Sequence, residues 1–351
     1  MSNRRTVKTF ATLVSAAALT LAGCSSGGGA AGGPSSAPAS AAGTSLALAA
    51  ATLSDPFQVV MNDAIKKVAG DHQVQVLPMT NAGADAAQQV TDIQNLLVRK
   101  PSGLIVNPVD ADAVSPAIEK AAAAGVPVVT VDRAPSTNKV YMVVRADNYG
   151  MGELACEALG KALDGAGTVL NLQGALSSSA GLDRSNGFTD CMKGKFPNMK
   201  VINQPTEWNV EKVSTGAQTV VSTQKVGGIF LASDSLMTPP IEATLKGLNK
   251  WHTRNETGHI AIATVDGTPA ALGMIRDGYF DTVVSQPVND YAKYAVQYIL
   301  AAVGGKPAPA VGPTDHDSKI ELLGGVKNDL LPAVSVTTAN VDNPDLWGNA
   351  K

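Results

Sequence analysis

The stretch Val126-Pro127-Val128-Val129-Thr130-Val131-Asp132-Arg133 constrains the fold more than any other. A run of β-branched and apolar residues without polar alternation reads as a strand buried on both faces, and such strands belong to parallel sheets covered by helices. The run ends in an adjacent carboxylate and guanidinium. In open α/β sheets the carboxyl ends of the strands border the ligand crevice, so the pattern puts Asp132 and Arg133 at a site rather than in a core. A group that accepts two hydrogen bonds beside one that donates a fork of them suits vicinal hydroxyls.

The same pattern recurs on either side. Apolar runs at 46–53, 74–78, 103–107, 126–131 and 141–145 alternate with helical patterns. One helix opens at Ser54-Asp55-Pro56-Phe57 and runs to about Ala69; others span 85–99 and 113–124. After Asp147-Asn148 the alternation starts again, with strands at 168–172, 200–203, 228–232, 260–265 and 280–285. Helices at 180–195, 210–224, 239–248, 269–277 and 289–303 separate and follow them. This spacing means right-handed βαβ units and parallel sheets. The halves echo one another: Gly103-Leu104-Ile105-Val106-Asn107 against Gly228-Ile229-Phe230-Leu231-Ala232-Ser233-Asp234, and Val128-Val129-Thr130-Val131-Asp132 against Ile262-Ala263-Thr264-Val265-Asp266. Two α/β lobes facing each other with polar strand ends would enclose a polar ligand between them.

Residues 1–23 stand apart. Arg4, Arg5 and Lys8 precede a short apolar stretch, Phe10 to Ala22, which is the layout of an export signal. Leu21-Ala22-Gly23-Cys24 resembles a bacterial lipoprotein box, which implies cleavage before Cys24 and lipid attachment to it. Residues 24–44 are Gly, Ala, Ser and Pro rich and uncharged, a flexible tether. Removing the signal takes three of the 27 basic residues and leaves 24 against 30 acidic ones, a formal charge of −6. That surface is unsuited to nucleic acid, whose binding needs phosphate neutralisation. Cys156 and Cys191 remain in the exported part, where a disulfide and two free thiols are both open readings.

Enzymatic readings find little support. Gly150-Met151-Gly152-Glu153-Leu154-Ala155 fits a dinucleotide fingerprint in letters, but it opens a helix outside the first βαβ unit. Ser177-Ser178-Ser179 has no nucleophile-elbow frame, and His72, His252, His259 and His316 lack ligand spacing. No cofactor, no metal and no catalytic residue is expected.

Several short motifs occur in order: Thr52-Leu53-Ser54-Asp55-Pro56-Phe57, Ile105-Val106-Asn107-Pro108, Val131-Asp132-Arg133, Ala146-Asp147-Asn148 and Leu172-Gln173-Gly174. Asp183-Arg184-Ser185-Asn186-Gly187-Phe188, Ala232-Ser233-Asp234, Val265-Asp266-Gly267 and Ser285-Gln286-Pro287 follow. With these motifs the chain resembles the ribose-binding branch of the periplasmic sugar-binding proteins, receptors of ATP-driven importers, from about Ser45 to Val336. The resemblance implies the type I periplasmic binding protein fold: two Rossmann-like lobes with parallel sheets joined by a three-segment hinge. It puts the crossings near Ala146, Gln286 and Thr314, so that 45–146 plus 287–313 form one lobe and 147–286 plus 314–351 the other. Carried over, the pocket comprises Asp55, Phe57, Asn107, Asp132, Arg133, Asp147, Arg184, Trp208, Ser233, Asp266 and Gln286. Ser233 stands where the family usually has Asn, Val265 replaces an aromatic, and Gln58 follows Phe57 where a second aromatic often stands. The implied partners are a monosaccharide or polyol, an importer permease and, through the lipid, the outer face of the cell membrane, with the protein itself a monomer. The alternative is a receptor that reports a small furanose-like signal to a membrane sensor.

Overall fold

The structure, a computed structural model, describes residues 43–350. The expected export signal, Cys24 and most of the tether lie outside the described residues.

The first half builds β1 (Ser45–Ala50), α1 (Pro56–Asp71), β2 (Gln75–Val76), β3 (Thr80–Asn81), α2 (Ala86–Val98), β4 (Gly103–Val106), α3 (Ser115–Ala123), β5 (Val128–Val131) and β6 (Met142–Ala146). The second builds α4 (Asn148–Ala162), β7 (Gly167–Gln173), α5 (Ser179–Lys195), β8 (Met199–Pro205), α6 (Val210–Thr223), β9 (Gly228–Leu231), α7 (Asp234–Gly247), β10 (Ala261–Asp266), α8 (Pro269–Asp277) and β11 (Thr282–Ser285). The chain closes with α9 (Val288–Val303), β12 (Gly312–Pro313), β13 (Lys319–Leu323), β14 (Val326–Leu331) and β15 (Val334–Val336).

These strands form two mixed, mainly parallel sheets. The larger runs β12-β13-β14-β6-β5-β4-β1-β2, with β3 also on β1; the smaller runs β15-β11-β10-β9-β7-β8. β4, β5 and β9 are buried along their whole length, as apolar runs covered on both faces must be. Helix α9 leaves the second half and packs on α1, β4 and β5, so the first lobe is completed by chain from far along the sequence.

The structure corrects several expectations. The sheets are not wholly parallel: β12, β13 and β14 pair antiparallel, and β15 is antiparallel to β11. Residues 319–331 belong to the first lobe's sheet, because β14 pairs parallel with β6. The third crossing therefore lies between Leu331 and Val334, not near Thr314. Charged and polar residues interrupt this stretch, as suits a hairpin near a sheet edge, and Gly324-Gly325 forms its two-residue turn. The helix expected at 239–248 begins at Asp234 and carries Pro239 and Pro240 inside it. The run at 74–78 is broken into the short β2 with β3 beyond it.

Cys156 of α4 and Cys191 of α5 are joined in a disulfide. The same helices touch where Gly152 sits over α5: a Cβ there would come within 2.2 Å of the Arg184 carbonyl oxygen. The small residue that mimicked a dinucleotide fingerprint is thus a helix-packing contact. Among the described residues no group of side chains could hold a metal ion, and no helix is long and apolar enough to cross a membrane.

Candidate functional site

Both sheets direct their carboxyl ends into one cleft, and each strand-end aspartate has an unusual backbone. Asp132 after β5 has φ 66° and Asp266 at the end of β10 has φ 123°. Non-glycine residues seldom adopt such angles, at a cost of about 1–3 kcal/mol each, and they persist where neighbouring structure holds them. Asp132 N–H donates to the Val144 carbonyl at 2.9 Å, while the Asp266 carbonyl accepts from Gln286 N–H at 2.9 Å and from Trp347 Nε1 at 2.8 Å. The strain turns each carboxylate out of its strand and into the cleft.

In the first lobe Asp132 Oδ2 accepts from Gln58 Nε2 at 3.0 Å and from Asn107 Nδ2 at 3.3 Å, and Asn107 also donates to Gln58 Oε1. Arg133 Nε lies 3.5 Å from Asp132 Oδ2, and its Nη1 donates to the Pro108 carbonyl at 3.2 Å. In the second lobe Asp266 Oδ2 accepts from Ser233 Oγ at 2.6 Å and Ser235 Oγ at 2.9 Å, and its Oδ1 from Gln286 Nε2 at 2.6 Å. Arg184 Nη1 stands 3.6 Å from Asp266 Oδ1 and donates to the Ala232 carbonyl at 2.6 Å, while its Nε donates to Asn148 Oδ1 at 2.8 Å. Each lobe thus offers a carboxylate with a guanidinium beside it.

Asp55, Phe57, Asp132, Arg133, Arg184, Trp208, Ser233, Asp266 and Gln286 line one cavity of about 20 Å³, joined by Gln58, Ala180 and Leu236. Asn107 stands behind that wall, fully buried, and reaches the cavity through Gln58 and Asp132. Asp147 is not brought in: its carboxylate caps α4, accepting from Gly150 N–H at 2.9 Å. The Asp147 side chain serves as the N-cap acceptor of α4 and is not among the residues lining the cavity.

The aromatic residues differ in their freedom. Phe57 is buried edge-on against Tyr291 and Trp347, with ring centroids 6.3 and 6.1 Å away. Trp208 carries positive φ of 58°, stands 5.7 Å from the Arg133 guanidinium and donates from Nε1 to Ser178 Oγ at 3.3 Å. Its ring fills the space a side chain at Gly174 would take, 2.0 Å from the Cβ position there.

Burial dominates the electrostatics. It raises the Asp55 carboxyl to about 6, helped by the negative charge of Asp266, against the lowering effect of Ser235, of the Phe57 N–H and of Arg133. Asp266 is also raised by burial, against the pull of Arg184 and its three side-chain donors. Asp234, inside the second lobe, is pushed well up by burial and by Asp266. Its oxygens accept from Gly267 N–H at 2.7 Å and Thr268 Oγ1 at 2.6 Å, which fixes the loop after Asp266.

Sequence reasoning overlooked Gln58, Ser235, Tyr291 and Trp347 as site-forming residues. Tyr291 accepts from Ala146 N–H at 2.8 Å and donates to Gln286 Oε1 at 2.8 Å, linking two chain crossings to the Asp266 carboxylate. Gln58 was visible as a departure at an aromatic position; Tyr291 and Trp347 left no local signal.

A fold of two such sheets, with paired strand-end acids across one cleft, invites comparison with known proteins. The profile of the periplasmic binding protein domain family matches residues 46–307. The chain belongs to the periplasmic binding protein family. Among relatives of this periplasmic binding protein is the ribose import binding protein of Escherichia coli, 27% identical over 310 residues, covering 88% of this chain and 97% of that one. A xylitol-binding protein of Mycolicibacterium smegmatis is 24% identical over 209 residues, 58% of this chain and 57% of that one. A solved ABC transporter solute binding protein from Mycobacterium smegmatis, with bound glycerol, is 25% identical with a TM-score of 0.73, covering 85% of this chain and 96% of that one. These relatives are binding proteins, and the present periplasmic binding protein is likewise a non-enzymatic, extracytoplasmic solute-binding protein.

Proposed function

We infer that the protein closes on a monosaccharide or sugar alcohol in the cleft and delivers it to the permease of an ABC importer, anchored by a lipid on Cys24. One observation carries this reading: Asp132 with Arg133 and Asp266 with Arg184 face the same cavity from opposite lobes. Hydroxyls both donate and accept, and carboxylate, guanidinium and amide groups satisfy both roles. Hydrogen bonds to charged groups contribute about 1.5–3 kcal/mol each, so a few that span the cleft would hold the lobes together around a polyhydroxyl ligand. The inner space is small, about 20 Å³, and both lobes wall it. A ligand received with the lobes apart would be enclosed as they close on it.

Relatives named for ribose import and for xylitol binding support this ligand class. Gln58 in place of a second aromatic leaves less stacking surface, which favours a ligand held through its hydroxyls.

Isothermal titration of the chain against ribose, xylose, galactose, glucose, xylitol, ribitol, sorbitol and inositol tests the reading. Saturable binding to one of these, lost by about 30-fold or more in Asp132→Asn, is expected. Silence across the panel would sink it. The anchor is tested separately: Cys24→Ala should move the protein from the membrane fraction to the soluble one.

A further inference from the structure

The inner cavity is not the whole cleft. Beside it lies a chamber of about 330 Å³ walled by both lobes, and the two spaces share Asp55, Arg133, Trp208 and Leu236. The partition is the stack of the Arg133 guanidinium on the Trp208 indole, 5.7 Å apart. That indole is pinned by its hydrogen bond to Ser178 and its seat on Gly174, so its position belongs to the fold rather than to a surface rotamer. The outer chamber exists because Ala51, Ala84, Ala86 and Ala175 line it where larger residues would close it. Half of its lining is apolar, the alanines, Val109, Leu236 and the Trp208 ring forming one wall, and the other half is polar, with Thr52, Ser54, Ser177, Asp110 and Glu207 among it.

Resting on the sugar-receptor reading above, we propose that the ligand is a substituted sugar, a glycoside or disaccharide. Its first ring lies among the acids and arginines of the inner cavity, and its second ring or aglycone passes the Arg133–Trp208 partition into the outer chamber. A free monosaccharide would leave that apolar wall uncovered by ligand. A ring stacked on Trp208 and packed on the alanines removes it from water, which adds affinity in proportion to the apolar area covered.

The experiment is a calorimetric comparison of free D-ribose, D-xylose, D-galactose and D-glucose with their methyl and 4-nitrophenyl glycosides in both anomeric forms, and with cellobiose, lactose and trehalose. At least one substituted sugar should bind about tenfold or more tighter than its parent. Val109→Trp and Ala86→Phe, which fill the outer chamber at positions that do not themselves line the inner cavity, should then weaken that ligand about tenfold while leaving the parent sugar within about twofold. Thermal melts of both variants without ligand verify that they fold. Monosaccharide binding undiminished by Val109→Trp or Ala86→Phe, with every substituted sugar weaker than its parent, overturns the proposal and leaves the receptor reading intact. Binding of neither class overturns both.

Discussion

At the scale of single residues, the cleft concentrates acids that burial disfavours. Asp55 is 5% exposed, and its folded pKa of about 6 exceeds the ordinary 3.8. The sign follows directly. Between those two values the folded chain holds a proton that the unfolded chain has released, so Asp55 opposes folding increasingly as pH rises through 4 to 6, by about 3 kcal/mol above that window. Asp234 and Asp266 are raised too and act in the same direction. Thermal melts without ligand should therefore show stability rising as pH falls from 7 towards 5, and Asp55→Asn should flatten that rise and stabilise the protein at pH 7.5. A melting profile unchanged by Asp55→Asn would mean that Asp55 is solvated. Phe57 illustrates the opposite balance, since its ring is committed to Tyr291 and Trp347 and acts on the site through packing.

Among the elements, two contacts can be tested independently. The Cys156–Cys191 bridge ties α4 to α5 across 35 residues of sequence. Closing a loop of that length removes unfolded-state entropy worth about 4 kcal/mol in the chain-entropy picture. Cys156→Ser with Cys191→Ser should lower the unfolding free energy by 2–4 kcal/mol, roughly, in urea titrations, with ligand affinity retained, because neither sulfur lines the cleft. Gly174 at the end of β7 predicts the reverse split. Its Cβ position is 2.0 Å from the Trp208 ring, so Gly174→Ala must displace the indole from the cleft. Affinity should fall about tenfold or more while the melting temperature changes little, and tryptophan fluorescence should report the displaced ring.

For the whole molecule, the three crossings at Ala146–Asn148, Ser285–Val288 and Leu331–Val334 sit together beside the site. Tyr291 bridges the first two, and Asp147 N–H donates to the Leu331 carbonyl at 3.0 Å to join the first and third. Beside the hinge the lobes meet through Arg145 and Asp183 at 2.7 Å, and away from it through Ala134 N–H and Ser179 Oγ at 2.8 Å and Ala111 N–H and the Ser177 carbonyl at 3.3 Å. Few polar contacts hold the closed lobes, which suits a clamp whose closure is decided by its ligand. Small-angle scattering should show a smaller radius of gyration on ligand addition, and a ligand at 100 times its Kd should stabilise the fold by about 2.7 kcal/mol. Tyr291→Phe removes the hydroxyl that joins hinge to Gln286 and should weaken binding without abolishing folding.

The sequence by itself determined the alternation of strands and helices, the two echoing halves and the polar ends of their strands. Those features are local: period, β-branching and the residue that ends an apolar run are legible from neighbours. Asp132, Arg133, Ser233 and Asp266 were legible as a group for that reason, each standing at or beside a strand end, whereas Gln286 entered through the family resemblance. Tertiary structure alone decided which lobe takes 319–331, because a polar hairpin can close either sheet and only the pairing of β14 with β6 settles it. It alone separated Asp147, used by its own helix, from Asp55, whose carboxylate also caps a helix yet lines the cleft. It also brought Tyr291 and Trp347 from distant sequence to Ala146, Gln286 and Asp266 behind the cleft, contacts that no local pattern encodes.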